Sequence, residues 1–121
     1  MSKIVEQDRL AKSRRRERIE AELPRIVEGL KGLGVLKVIL FGSAARGDIG
    51  RASDVDLIVV METDKRFLDR LEEVYAAIGS RGGVDVLVYT PEEFDRLSKE
   101  RAFVRRAVDE GRVLYEADPA G

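Results

Sequence analysis

Two aspartates stand one residue apart at the start of an apolar segment in the middle of the sequence. Asp54 and Asp56 open the segment DVDLIVV, residues 54–60. Because side chains alternate along a β-strand, both carboxylates are expected on one face, with Val55 and Leu57 on the other. Two neighbouring carboxylates repel each other unless a cation lies between them. Since the ligands are oxygens, the pattern favours a hard divalent ion such as Mg²⁺, which keeps water ligands and shares substrate phosphates.

A third carboxylate lies in a later apolar segment. Asp85 is the only charged residue of VDVLVY, residues 84–89. An aspartate inside a core strand is costly unless it is paired or bound to a metal. If the strand that contains Asp85 lies beside the strand that contains Asp56, the three aspartates form one cluster.

A glycine and a serine follow the first apolar strand. Gly42 and Ser43 come directly after VLKVILF, residues 35–41, and ten residues separate Ser43 from Asp54. The next residues have a helix-forming composition, so a helix is expected to begin here. A helix N-terminus offers unpaired N–H groups that suit phosphate oxygens. Gly42 allows the close approach of a ligand to the backbone, and Ser43 adds a hydroxyl donor.

The composition narrows the chemistry further. The sequence contains no histidine and no cysteine. Carboxylates therefore remain as the acid/base and metal-binding groups, because the usual general base and the thiolate ligands are absent. With 22 basic and 23 acidic residues, the net charge of −1 gives no global attraction to nucleic acid, which is not expected as a partner.

No apolar segment approaches the roughly 20 residues that span a bilayer. The charged start MSKIVEQDR also lacks the core of a signal peptide. We expect a cytoplasmic protein that does not interact with membranes.

The periodicity predicts one domain of class α+β. An amphipathic helix is expected over 13–30, where Pro24 either kinks it or separates two helices. Strands are expected at 35–41, 54–61 and 84–89, with a helix over 64–78 between the last two. Thr90, Pro91 and Glu93 form a capping box that opens a helical pattern of one or two helices. The apolar positions of that pattern include Phe94, Leu97, Phe103, Val104 and Val108, and a short strand is expected at 112–116.

The expected sheet is mixed, with helices packed mainly on one face, and its strand order is left open. Residues 1–18 are predicted to form a basic helical extension, and residues 19–117 the domain itself. The basic cluster of Lys12, Arg14–Arg16 and Arg18 either contacts phosphates or forms a solvated helix face. The interspersed Glu17 and Glu20 favour the solvated face.

The motif resembles the signature of the DNA polymerase β-like nucleotidyltransferase superfamily, and in particular its minimal nucleotidyltransferase (MNT) group. The similarity covers roughly residues 20 to 115. The matching residues are Gly42, Ser43, Arg46, Gly47, Ser53, Asp54, Asp56, Leu57 and, on a later strand, Asp85. The resemblance implies the nucleotidyltransferase fold, with the carboxylates on its open face.

The resemblance also implies a reaction, the transfer of AMP from ATP to a hydroxyl acceptor with two Mg²⁺ ions. Asp54 and Asp56 are expected to hold both ions, and Asp85 to hold one and to serve as general base. Gly42 and Ser43 are expected to bind the terminal phosphates.

Two residues of the motif keep alternative interpretations. Arg46 is expected either to neutralise the leaving pyrophosphate or to form a surface ion pair with Asp48. Ser53 is expected either to orient Asp54 and contact a phosphate or to serve as a turn residue at the start of the strand.

The resemblance also bears on the identity of the acceptor. A second, acceptor-binding domain is not expected in 121 residues, so the acceptor is expected on a partner chain or across a homo-oligomer. MNT proteins are commonly paired with a helical HEPN toxin, which they neutralise by adding AMP to a tyrosine. Three alternatives are a small-molecule nucleotidyltransferase with a separate substrate subunit, a binding antitoxin without turnover, and an unrelated metal-binding structural domain.

Overall fold

A computed structural model describes residues 3–46, 55–79 and 83–118, so Ser53 and Asp54 lie outside the described residues. The segments 37–41, 55–60, 84–89 and 112–116 are strands, close to their predicted positions. The elements are α1 (Lys3–Lys31), β1 (Lys37–Phe41), α2 (Gly42–Arg46), β2 (Val55–Val60), α3 (Phe67–Ile78), β3 (Val84–Tyr89), α4 (Pro91–Glu100), α5 (Ala102–Glu110) and β4 (Arg112–Glu116).

The four strands form one sheet in the order β3-β2-β1-β4. Strand β1 runs antiparallel to both β2 and β4, whereas β2 and β3 are parallel. The predicted mixed sheet of an α+β domain is therefore confirmed. The order also makes β3 an edge strand.

The larger core lies between one face of the sheet and the helices α1 and α3. Alternating strand residues such as Leu57 and Val59 point to this face and are fully buried. Leu30 of α1 and Val74 of α3 pack against them. The Arg25 Nη1 group also donates a hydrogen bond of 2.7 Å to the carbonyl of Ile78, which fastens the two helices together.

A smaller core covers the opposite face. Ile39, Ile58 and Val60 point to this side and pack with Ala107 of α5. Phe94 of α4 is packed against the same group. The larger helical layer thus lies on one face, and the smaller layer of α4 and α5 leaves part of the other face accessible.

Helix α1 is continuous across Pro24 from Lys3 to Lys31, so of the two alternatives predicted for Pro24 the separation into two helices is wrong. Pro24 is exposed, and the buried Leu23 and Ile26 hold the helix on both sides of it. Water can therefore serve the carbonyl that proline leaves without a backbone donor. Among the described side chains of residues 6–18, none is buried, and the boundary between extension and domain stays a prediction.

The capping box of α4 is present as predicted. The Glu93 amide donates to Thr90 Oγ1 at 3.2 Å, and the Thr90 amide donates to Glu93 Oε1 at 2.9 Å. Arg70 of α3 donates to both carboxylate oxygens of Glu93, at 2.6 and 3.3 Å, and to the carbonyl of Val88. One ionic group therefore joins α3, β3 and α4 at the end of the sheet where β3 terminates.

No helix among the described residues is long and apolar enough to cross a membrane.

Candidate active site

The register of the sheet brings two predicted carboxylates together. Asp56 of β2 and Asp85 of β3 are Cα partners in the parallel pair, and Phe41 of β1 is the partner of Asp56 on the other side. The three residues form a row across the sheet, where β2 and β3 begin and β1 ends. The predicted proximity of Asp85 to the Asp-x-Asp segment thus appears in the structure for Asp56, while Asp54 and Ser53 lie outside the described residues.

Two features of the structure favour glycine at position 42. Its φ of +74° lies in the left-handed region, which favours glycine. A Cβ atom at this position would lie 2.5 Å from Oδ2 of Asp56. The glycine therefore lets the first turn of α2 pack directly against the carboxylate of Asp56.

The electrostatics of the row suit a bound cation. Burial raises the pKa of the Asp56 carboxyl, and the negative charge of Asp85 raises it further. A positive ion between the two groups would remove the repulsion, and oxygen ligands match Mg²⁺. The described residues contain no group of three possible ligands. Among the described residues, Asp56 and Asp85 are thus a pair of donors that suits a divalent ion, and Asp54 as the third member stays a prediction.

Asp85 itself is exposed, so the prediction that it is buried inside a core strand is wrong. Strand β3 lies at the edge of the sheet, and the side chain points to the face that α4 and α5 cover only in part. Its position beside Asp56, rather than its burial, makes it a candidate ligand.

A cleft of about 570 Å³ opens around this row. Five of the predicted site residues line it: Gly42, Ser43, Arg46, Asp56 and Asp85. The other lining residues are Phe41, Leu87, Phe103, Arg106, Ala107 and Glu110. The structure therefore brings five of the seven predicted site residues together in one concave surface, whereas Ser53 and Asp54 lie outside the described residues.

Arg46 forms an ion pair inside this cleft. Its Nη1 atom lies 3.9 Å from Oε2 of Glu110 on α5, and both side chains are about half exposed. Exposed pairs of this length contribute little to stability, so a phosphate can displace Glu110 at small cost. Asp48, the partner considered from sequence, lies outside the described residues.

Helix α5 contributes residues that the sequence did not single out. Phe103, Arg106 and Glu110 are spaced along one side of the helix and all line the cleft. The sequence groups Phe103 with apolar helical positions, yet its side chain is 57% exposed. The available signal was the stripe of an aromatic, a basic and an acidic residue beside the buried Val104 and Ala107.

Comparison with known proteins identifies the family of this chain. Residues 21–114 match the family model described as a nucleotidyltransferase domain. A Methanocaldococcus jannaschii protein described as a "putative protein adenylyltransferase" is 34% identical over 82 residues, which are 67% of this chain and 79% of that protein. The crystal structure of a "putative nucleotidyltransferase" from Sulfolobus solfataricus superimposes with a TM-score of 0.62 at 24% identity, covering 89% of both chains. That structure supports the fold alone.

Proposed function

The chain belongs to the nucleotidyltransferase domain family and is a transferase, and we propose that it moves AMP from ATP to a hydroxyl group of a partner protein. The observation that carries this proposal is the register of β2 and β3. That register sets Asp56 level with Asp85, and the pairing of β1 with β2 brings Asp56 beside the turn of Gly42 and Ser43. The residues proposed to bind the metal and the phosphates thus line one cleft.

Asp56 and Asp85, together with Asp54, would hold the divalent ions of the reaction. When bound, two such ions stabilise the charge on the attacking and leaving oxygens of an in-line displacement. The half-buried Asp56, packed against Gly42, is the fixed member of the set. Asp85 is the accessible member, at the edge of the sheet.

Gly42, Ser43 and Arg46, which line the same cleft, bind and orient the triphosphate. Ser43 donates its hydroxyl, and the backbone at Gly42 approaches the terminal phosphates closely. Arg46 exchanges Glu110 for the pyrophosphate as negative charge builds up there. The acceptor oxygen attacks the α-phosphorus, the bond to the bridging oxygen breaks and pyrophosphate leaves, while Asp85 accepts the proton of the acceptor hydroxyl.

A protein acceptor fits the position of Asp85. An exposed residue on an edge strand can be reached by a side chain that projects from a large partner, without a dedicated pocket on this chain. The name of the Methanocaldococcus relative also refers to a protein acceptor. From the resemblance to MNT proteins we propose a tyrosine of a HEPN-type toxin as the acceptor.

The test uses the purified protein with MgCl₂, α-labelled ATP and the product of the neighbouring gene, followed by intact-mass analysis of both chains. We expect AMP on the partner, and Asp56→Asn is expected to reduce its rate of addition roughly a thousandfold, because a metal ligand is lost. Asp69→Asn, an exposed aspartate on α3, is the matched control and should label the partner normally.

Two results would contradict the proposal. An unlabelled partner that still forms a tight complex would indicate a binding antitoxin. Equal labelling by the wild type and Asp56→Asn would remove the carboxylate row from the reaction.

A further inference from the structure

One wall of the cleft is apolar and has no role in the proposed transfer. Phe41 and Phe103 meet edge to face, with ring centroids 5.6 Å apart and an interplanar angle of 87°. Phe41 is half-buried, whereas 57% of Phe103 is exposed. Edge-to-face contact with Phe41 fixes the position of the outer ring, which keeps more than half of its surface available to a ligand.

The position of this wall relative to the carboxylates indicates which of the two substrates contacts the wall. Phe41 directly precedes Gly42 and Ser43, the phosphate-binding turn, and it adjoins Asp56 on β1. Helix α5, which holds Phe103, also pairs with the phosphate-binding Arg46 through Glu110. Asp85, the proposed contact of the acceptor, lies on the opposite side of Asp56 at the edge of the sheet. The aromatic wall is therefore on the donor side of the cleft.

The charge around the wall points the same way. Arg106, one turn beyond Phe103 on α5, and Arg46 of α2 line the same cleft. An exposed aromatic ring beside cationic side chains is the usual arrangement for binding a nucleotide, because the ring stacks on the base while the cations attract the phosphates. An aromatic acceptor that approached from the exposed edge of β3 would not reach this wall without crossing the carboxylate row.

We propose that Phe103, supported by Phe41, stacks on the base of the donor nucleotide and gives the site a preference for purines over pyrimidines. This inference rests on the proposed nucleotidyl transfer. A phenyl ring offers no hydrogen bonds, so the preference follows from the larger stacking area of a purine and does not distinguish ATP from GTP.

Isothermal titration calorimetry in MgCl₂ distinguishes the contribution of the base to the binding affinity from the contribution of the phosphates. The two ligands are the α,β-methylene analogue of ATP, which is not cleaved at the reacting bond, and inorganic triphosphate, which has no base. We expect Phe103→Ala to weaken binding of the analogue about tenfold, the typical effect of losing one stacked base. Its affinity for inorganic triphosphate should stay within about twofold, because the phosphate contacts remain.

Three comparisons isolate the ring. Phe103→Tyr keeps an aromatic face and should bind the analogue as the wild type does, whereas Phe103→Leu keeps apolar bulk only and should resemble Phe103→Ala. Val108→Ala removes a partly exposed apolar side chain from the same helix outside the cleft and should change neither affinity. In the wild type, ATP and GTP should displace the analogue more readily than CTP and UTP, and Phe103→Ala should remove that difference.

The outcomes distinguish this inference from the function on which it rests. If Phe103→Ala binds the analogue as tightly as the wild type, or loses affinity for both ligands equally, the stacking role is overturned. If the wild type binds the analogue no better than inorganic triphosphate, the stacking role is overturned and nucleotidyl transfer stands. If the wild type binds neither ligand, the proposed function itself fails.

Discussion

The two ends of the central sheet differ in the charges that surround their carboxylates. Where β2 and β3 begin, Asp56 and Asp85 stand side by side, and the pKa of Asp56 is raised by burial and by its neighbour. Where β3 ends, Arg70 donates two hydrogen bonds to Glu93, and the pKa of Glu93 is lowered, chiefly by those bonds. Among the described residues, Glu93 has a cationic partner in Arg70, whereas the charge that shifts the pKa of Asp56 is the like charge of Asp85.

This difference distinguishes charges that stabilise the fold from charges that are expected to act in the reaction. Arg70 and Glu93 join three elements and complete the cap of α4, so their charges serve the fold. Between Asp56 and Asp85 the charges are alike and add to burial in raising the pKa of Asp56, and an unfavourable arrangement of this kind is typical of functional sites. Substitutions at the two ends should therefore affect different properties.

After the loss of Asp56 itself, the largest effect is expected from Gly42→Ala. The left-handed backbone makes the substitution unfavourable by about 1–2 kcal/mol, and the new Cβ atom must displace the Asp56 carboxylate that it meets at 2.5 Å. We expect transfer activity to fall at least about a hundredfold, because a small misplacement of a reacting group has effects of this size. Initial rates of AMP transfer and thermal unfolding measure the two properties separately.

Gly34→Ala is the matched control for this substitution. Gly34 has a φ of +76°, and a Cβ there would meet no atom within 4 Å. It should lose similar stability and keep its activity. If both variants lose activity equally, the contact between Gly42 and Asp56 has no role in the reaction.

A smaller effect, on stability alone, is expected from Glu93→Gln. Glutamine retains the cap of Thr90 but removes the charge that Arg70 binds, so the free energy of unfolding at neutral pH should fall by about 1–2 kcal/mol. Because the folded-state pKa of Glu93 is lowered, its contribution is fully present above its ordinary value of 4.5 and is lost as pH falls through the folded-state value. The variant should show a shallower loss of stability in acid.

Urea unfolding at a series of pH values checks this prediction, with Glu92→Gln, an exposed residue in the same helical turn, as the control. Activity should not change. An acid limb as steep as that of the wild type would mean that the Arg70 contact is not a source of stability.

The sequence predicted the parts of this protein that local chemistry determines. The capping box of Thr90 and Glu93, the strand 84–89 and the separation of Gly42 from the Asp-x-Asp segment all involve residues close together in the chain. The proximity of Asp56 and Asp85 was predicted on the condition that their strands are neighbours, and the parallel register meets that condition.

The remaining features depend on contacts between distant parts of the chain. Strand order, the exposure of Asp85 at an edge and the continuity of α1 past Pro24 follow from the way whole elements pack. The position of Phe103 is of the same kind. Its helical spacing is compatible with a core residue, and only the placement of α5 beside β1 turns the ring into the cleft.

Thermal unfolding of the wild type and Asp56→Asn, each with and without MgCl₂ and the α,β-methylene analogue of ATP, tests the central claim most directly. The raised pKa of Asp56 means that its ionisation lowers stability as pH rises through the folded-state value, so at neutral pH the metal-free variant should be as stable as the wild type or more stable. With ligand and metal the order should reverse, because only the wild type gains binding energy. A variant that is less stable without ligand, or that gains as much as the wild type with it, would contradict the assignment of the carboxylate row as the metal and nucleotide site.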